Sequence, residues 1–109
     1  MKLSPDAIIA KAKLTQYLLK PHPQDDKSKF LAQASYSQDN WQQLERDLRE
    51  QILPLDATLT EQTRFGDKYE IRGTLTGANG VSLPVVTIWM IEKATGQTKF
   101  ITLFPDKEA

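Results

Sequence analysis

The chain has 109 residues, 14 lysines and arginines against 14 aspartates and glutamates, and no cysteine. That length carries one hydrophobic core and is too short for two. Balanced charge disfavours a nonspecific polyanion binder driven by bulk field, and the missing cysteines exclude disulfides, thiolate zinc sites and a cysteine nucleophile.

The opening stretch, MKLSPDAIIAKAK, holds only the apolar pair Ile8 and Ile9 before the next charge. It does not read as a secretory signal, and no later run is long enough to span a bilayer, so a cytoplasmic protein with no membrane partner is expected. Ser4 and Pro5 suit a helix start, although Ile8 and Ile9 equally suit a short strand ahead of a helix over Ala10 to Leu19. Leu14, Tyr17 and Leu18 give that helix its apolar side. Lys20 to Asp26 is a loop, since prolines flank His22 and each restricts the residue before it. A short helix follows over Lys27 to Ala34.

The clearest helix begins after Ser37, where Trp41, Leu44, Leu48 and Ile52 recur at spacings of three and four behind a serine cap, with Glu45 and Arg49 paired at i, i+4. Leu53 and Pro54 end it. Thr58 to Thr63 reads as a polar edge strand, and three more strands run over Lys68 to Thr76, Val81 to Glu92 and Thr98 to Phe104. The fold class is α+β: two or three N-terminal helices (residues 1–56) on one face of a four-stranded antiparallel meander (57–105), with 106–109 as a tail, all in one domain.

Asn79-Gly80 signals a two-residue type I′ hairpin turn. With those residues at the tip, Ile71 meets Ile88 and Tyr69 meets Met90 on an apolar face, while Arg72 meets Thr87 and Glu70 meets Trp89 on the other. A second hairpin centred on Thr95-Gly96 adds Phe100, Thr102 and Phe104 to that mixed face. Pro84 suggests a nearby bulge or edge, and a bulged loop at Gly96 would instead send Thr102 to the core.

Each candidate on this surface has a plain reading beside a chemical one. Arg72 offers a guanidinium fork for phosphate, or an ion pair with Glu70. Trp89 and Phe104 stack nucleobases, or form a second core layer. Thr87 and Thr102 position a phosphate or hydroxyl, or follow strand propensity. Lys27 neutralises a scissile phosphate and His22 serves as acid or base, or both are solvated surface. Lys68 follows the turn at Gly66 and lies beside the same face. Asp25 and Asp26 near His22 have no diagnostic metal spacing, so no metal or other cofactor is expected. The serines lack an elbow motif or a histidine.

KLTQYLLKPHP, KSKF, the tryptophan helix, FGDKYEIRGTLTGANG, VVTIW and FITLFP together resemble the DUF6883 type of small bacterial domains of unknown function, over nearly the whole chain. The resemblance implies no reaction. It also implies a glycine after His22-Pro23 and before the basic residue matched by Lys27, where this chain has Gln24-Asp25-Asp26. Helices followed by a meander ending in a TxxP strand look, in architecture alone, like the barnase, colicin and RelE group of small ribonucleases, many of them toxins. Two expectations follow: a metal-independent, toxin-like ribonuclease that binds RNA on the mixed sheet face, or a noncatalytic member of a two-gene toxin–antitoxin type pair that binds a partner protein there with Trp89 as anchor. Assembly as a homodimer is left open.

Overall fold

The spacing of Leu44, Leu48 and Ile52 places all three on one side of a helix, and all three are fully buried. The computed structural model describes residues 1–24 and 26–109. Asp25, one of the acidic pair weighed as a metal ligand, lies outside the described residues. Near the start of the chain, a helical turn of π type spans Lys13–Leu18. It is followed by α1 (Lys27–Ala32), a 3₁₀ turn (Gln38–Asn40), α2 (Trp41–Asp47) and a second π turn (Leu48–Ile52). Both π turns close with i to i+5 bonds, Leu19 N to Leu14 O and Leu53 N to Leu48 O, each 2.8 Å. Ser37 is the N-cap of the 3₁₀ turn that leads into α2, as expected, and Asn40 closes a capping box on it, its Oδ1 accepting from Ser37 N at 2.7 Å. Arg49 Nε donates to Glu45 Oε2 at 3.2 Å as the i, i+4 spacing requires.

The strands are β1 (Thr58–Gln62), β2 (Gly66–Thr76), β3 (Ser82–Glu92) and β4 (Thr98–Pro105), antiparallel in the order β1-β2-β3-β4. This is the α+β meander expected from the pattern, with every strand end within two residues of its expected place. β1 is the exposed polar edge. At the opposite edge Ile8 takes the strand option rather than a helix from Ser4: its N–H donates to Thr98 O at 2.8 Å and its carbonyl accepts from Phe100 N at 2.9 Å. The helical layer and one sheet face enclose Tyr69, Ile71, Leu75, Leu83, Val85, Trp89, Phe100 and Leu103. Among the described residues no helix is long and apolar enough to cross a membrane.

The expected register fails at the first hairpin. Thr76 pairs with Ser82, Gly77 N donates to Val81 O at 3.0 Å and Gly80 N donates to Gly77 O at 3.0 Å. The loop is therefore three residues, Ala78-Asn79-Gly80, with only Gly80 at positive φ (83°). A type I′ turn needs both central residues there, whereas a turn closed by one left-handed glycine needs one. Asn79 is held otherwise: its Oδ1 accepts from Val81 N and its Nδ2 donates to Gln33 O in the segment after α1, both at 3.1 Å. One added residue reverses the parity of β3.

Tyr69 accordingly opposes Trp89 and Ile71 opposes Thr87, so Thr87 and Trp89 are core residues with no exposed surface, not members of the second face. Phe100, also expected on that face, is buried edge-on against Trp89, with ring centres 5.2 Å apart. Thr87 tolerates burial because its hydroxyl donates to Ile71 O at 2.9 Å and accepts from Trp89 Nε1 at 2.7 Å.

The second hairpin has a four-residue loop, since Glu92 N donates to Gln97 O at 2.9 Å. That register alone would set Thr102 opposite Thr87 in the core. A bulge at Ile101 intervenes, so Trp89 pairs with Phe100 but Ile88 pairs with Thr102. Thr102 thus regains the second face through two departures that cancel. Pro84 sits in an unbroken β2–β3 ladder, where β4 is running out: its carbonyl takes Asp106 N at 3.0 Å.

Candidate functional site

Two adjacent rows build the second face of the sheet: Glu70, Ile88 and Thr102, then Arg72, Val86 and Phe104. The first two β2 residues and the β4 pair stand where the alternation placed them, while Val86 and Ile88 replace Thr87 and Trp89. Against this face the start of α1 and the residues after β4 leave a groove of about 590 Å³. Val86, Phe104 and Phe30 form its apolar wall. Lys27, Arg72 and Lys107 also line it, and Asp26, Asp106 and Glu108 balance them.

At one end Lys27 Nζ donates to Tyr17 Oη at 2.8 Å and to Thr102 Oγ1 at 3.0 Å, and the two hydroxyls are 3.2 Å apart. Three side chains from three elements thereby share one node. Asp26 positions Lys27 by capping α1: its Oδ1 accepts from Ser28 N at 2.9 Å, and the hydrogen bonding of Ser28 holds the Asp26 carboxyl below its ordinary pKa. The hydrogen bond from Lys27, and then that with Thr102, pulls the Tyr17 phenol below its usual value. Lys27 also lies 5.0 Å from the Tyr17 ring centre. That distance follows from its contact with the hydroxyl and is not a separate cation–π interaction.

His22 adjoins this node from behind. Its Nε2 lies 2.8 Å from Tyr17 O, and because a carbonyl only accepts, Nε2 is the donor. Its ring centre is 6.2 Å from that of Tyr17.

Arg72 lies across the groove, two strands and two residues from Thr102, about 12 Å between Cα atoms by strand geometry. It is held by carboxylates. Nη1 donates to Asp106 Oδ1 at 2.9 Å and lies 3.6 Å from Glu108 Oε2, and Nε is 2.7 Å from Glu70 Oε1. The Glu70 contact is an ion pair whose angle is too bent for a hydrogen bond, and among the described residues that oxygen has no hydrogen-bond partner. Asp106's hydrogen bond above all, with the nearby charge of Glu70, raises the pKa of a group that is already always protonated. The ion-pair reading of Arg72 therefore holds in the free protein. Lys68 lies further along the face, 3.6 Å from Glu61, away from the groove.

The fold thus brings Lys27, Arg72 and Phe104 to one groove, with Thr102 and Glu70 joined to it through Lys27 and Arg72 and His22 behind Tyr17, and leaves Lys68, Thr87 and Trp89 outside. Tyr17 and Phe30 were missed. Tyr17 reads as part of an apolar helix stripe with Leu14 and Leu18, yet it is 37% exposed, and the polar tip of a tyrosine in such a stripe was the available signal. Among the described residues no cluster of three or more histidine, aspartate or glutamate side chains is placed to hold a metal ion.

Residues 3–107 match DUF6883, a domain of unknown function. The chain belongs to the DUF6883 family. The match spans both the Tyr17–Lys27–Thr102 node and the Arg72 row, so the groove is built entirely from family sequence apart from Glu108. Comparisons of the DUF6883 chain with curated proteins and with solved structures gave no match.

Proposed function

We propose that the groove binds single-stranded RNA and cuts its backbone by a metal-independent ribonuclease reaction. The observation that carries this reading is the Lys27–Tyr17–Thr102 node, which sets a phenol of lowered pKa against an ammonium at the mouth of a groove that a second cation, Arg72, also lines. Phosphodiester cleavage beside a ribose needs a base for the 2′-hydroxyl proton and positive charge for the phosphorane oxygens. Tyr17 as phenolate takes the proton, the 2′-oxygen bonds to phosphorus, and the P–O5′ bond breaks with water protonating the departing oxygen. Lys27 neutralises the charge that gathers on the phosphoryl oxygens, and Thr102 holds Lys27 and the substrate in register. Phe104, 40% exposed, offers a stacking face for a base. The product is a 2′,3′-cyclic phosphate.

The test is incubation of the purified chain with a single-stranded RNA and comparison with Lys27→Ala and Tyr17→Phe. Cleavage with cyclic-phosphate ends, reduced about a hundredfold or more in both variants, is expected for loss of a positioned acid–base pair. RNA left intact by the wild type sinks the reading. A toxin role predicts growth arrest on expression that Lys27→Ala relieves.

The evenly matched charges around the groove favour a second reading, a noncatalytic module that takes a partner protein's side chain against Phe104 in place of the buried Trp89. Intact RNA together with a stable protein complex that Phe104→Ala dissolves is its signature.

A further inference from the structure

We infer that Glu108 is a built-in carboxylate competitor for the phosphate position on Arg72, and that substrate enters the groove by displacing it. The inference rests on the RNA reading of the same groove.

Arg72 faces three carboxylates, and they are held very differently. Glu70 precedes it by two residues on β2, at 2.7 Å, with its side chain 20% exposed. Asp106 is 11% exposed and pinned: its amide donates to Pro84 O at 3.0 Å, and its Oδ1 accepts both from Arg72 at 2.9 Å and from Glu108 N at 3.0 Å. Glu108 stands 3.6 Å from Arg72 Nη1 and is 82% exposed. Two fixed carboxylates already exceed the charge of one guanidinium. The third lends little to the fold, because an ion pair this open to water is screened.

Its placement has a different consequence. Carboxylate and phosphate present the same pair of acceptor oxygens to a guanidinium, so the approach Glu108 occupies is the one open to a phosphate from the groove side. The Asp106 side chain accepts the backbone N–H of Glu108 and so aims that residue at Arg72. While Glu108 is in place an incoming phosphate meets a like charge 3.6 Å from Arg72 Nη1, whose hydrogen bond is to Asp106. Once it swings away, Arg72 and Lys27 can hold successive parts of one anionic backbone.

Inorganic phosphate titrated into the full chain, read at the Arg72 Nε–H NMR resonance, measures this without any turnover. Glu108→Gln should tighten phosphate binding about threefold, the effect of removing one charge several ångströms away in a largely aqueous setting. Glu61→Gln, an equal change in net charge on β1, should leave it unmoved. Equal affinities for wild type and Glu108→Gln, equal tightening in both variants, or no response of Arg72 to phosphate in Glu108→Gln each overturn the inference. If phosphate tightens selectively but no form of the protein binds or cuts RNA, the competitor stands and the RNA reading falls. If RNA is cut and both phosphate and RNA ignore Glu108→Gln, the reverse holds.

Discussion

A single hydroxyl satisfies the indole of the buried Trp89. Thr87 Oγ1 is the acceptor for the indole N–H at 2.7 Å, in a place that water does not reach. Thr87→Val keeps the shape and deletes that acceptor, so the indole nitrogen is left buried and unpaired. Stability in urea unfolding should fall by about 1–3 kcal/mol, the cost of an unsatisfied buried donor. At the groove, the lowered pKa of Tyr17 yields a second prediction. Lys27→Met removes the hydrogen bond and charge that favour the phenolate, so the Tyr17 titration should move to higher pH. Tyrosinate absorbance, with Tyr17→Phe as the subtraction, checks this, and an unmoved curve would show that Lys27 does not activate the phenol. If Tyr17 is the base, the rising limb of the pH–rate profile moves in the same direction. In the sequence Lys27 and Thr102 could be nominated, Tyr17 could be read only as part of an apolar stripe, and the three could not be assembled: they come from three separate elements, and no spacing rule links them.

At the scale of elements, the β2–β3 loop and the end of α1 hold each other in place. A β-carbon at Gly77 would lie 1.9 Å from Ala34 O and 2.8 Å from Ala34 C, so only glycine permits this approach. The conformation of Gly77 is ordinary; crowding is the constraint. Gly77→Ala should force the loop away from α1, loosen the bond from Asn79 to Gln33 O, and lower stability by about 1–3 kcal/mol as overpacking does. A thermal midpoint unchanged from wild type would show that the loop yields freely. This docking also accounts for the register that Asn79-Gly80 alone did not predict. Turn propensity favours two left-handed residues, but here the Asn79 side chain bonds both its own loop and the segment after α1, and that tertiary contact selects the three-residue form.

For the whole molecule, neutrality limits how tightly an anionic polymer can be held. Lysines and arginines equal aspartates and glutamates at 14 each, and the groove itself is nearly balanced. With about two or three phosphates contacted, the binding constant for single-stranded RNA should fall only about tenfold between 50 and 200 mM salt. A drop of a thousandfold would require many more phosphate contacts than the groove provides and would place the RNA elsewhere on the surface.

Periodicity sufficed for the helices, the four strands, their antiparallel order and the inward side of β2, because each follows from local spacing of apolar residues along a single element. The faces of β3 and β4 were a different kind of question. They depend on how many residues each loop consumes and on whether a strand bulges, and those counts were set by contacts among Asn79, Gly77 and the segment after α1 and by the irregularity at Ile101. One residue more or less in a loop exchanges core for surface along the whole following strand, so only the assembled fold could place Trp89 inside and Thr102 beside Lys27.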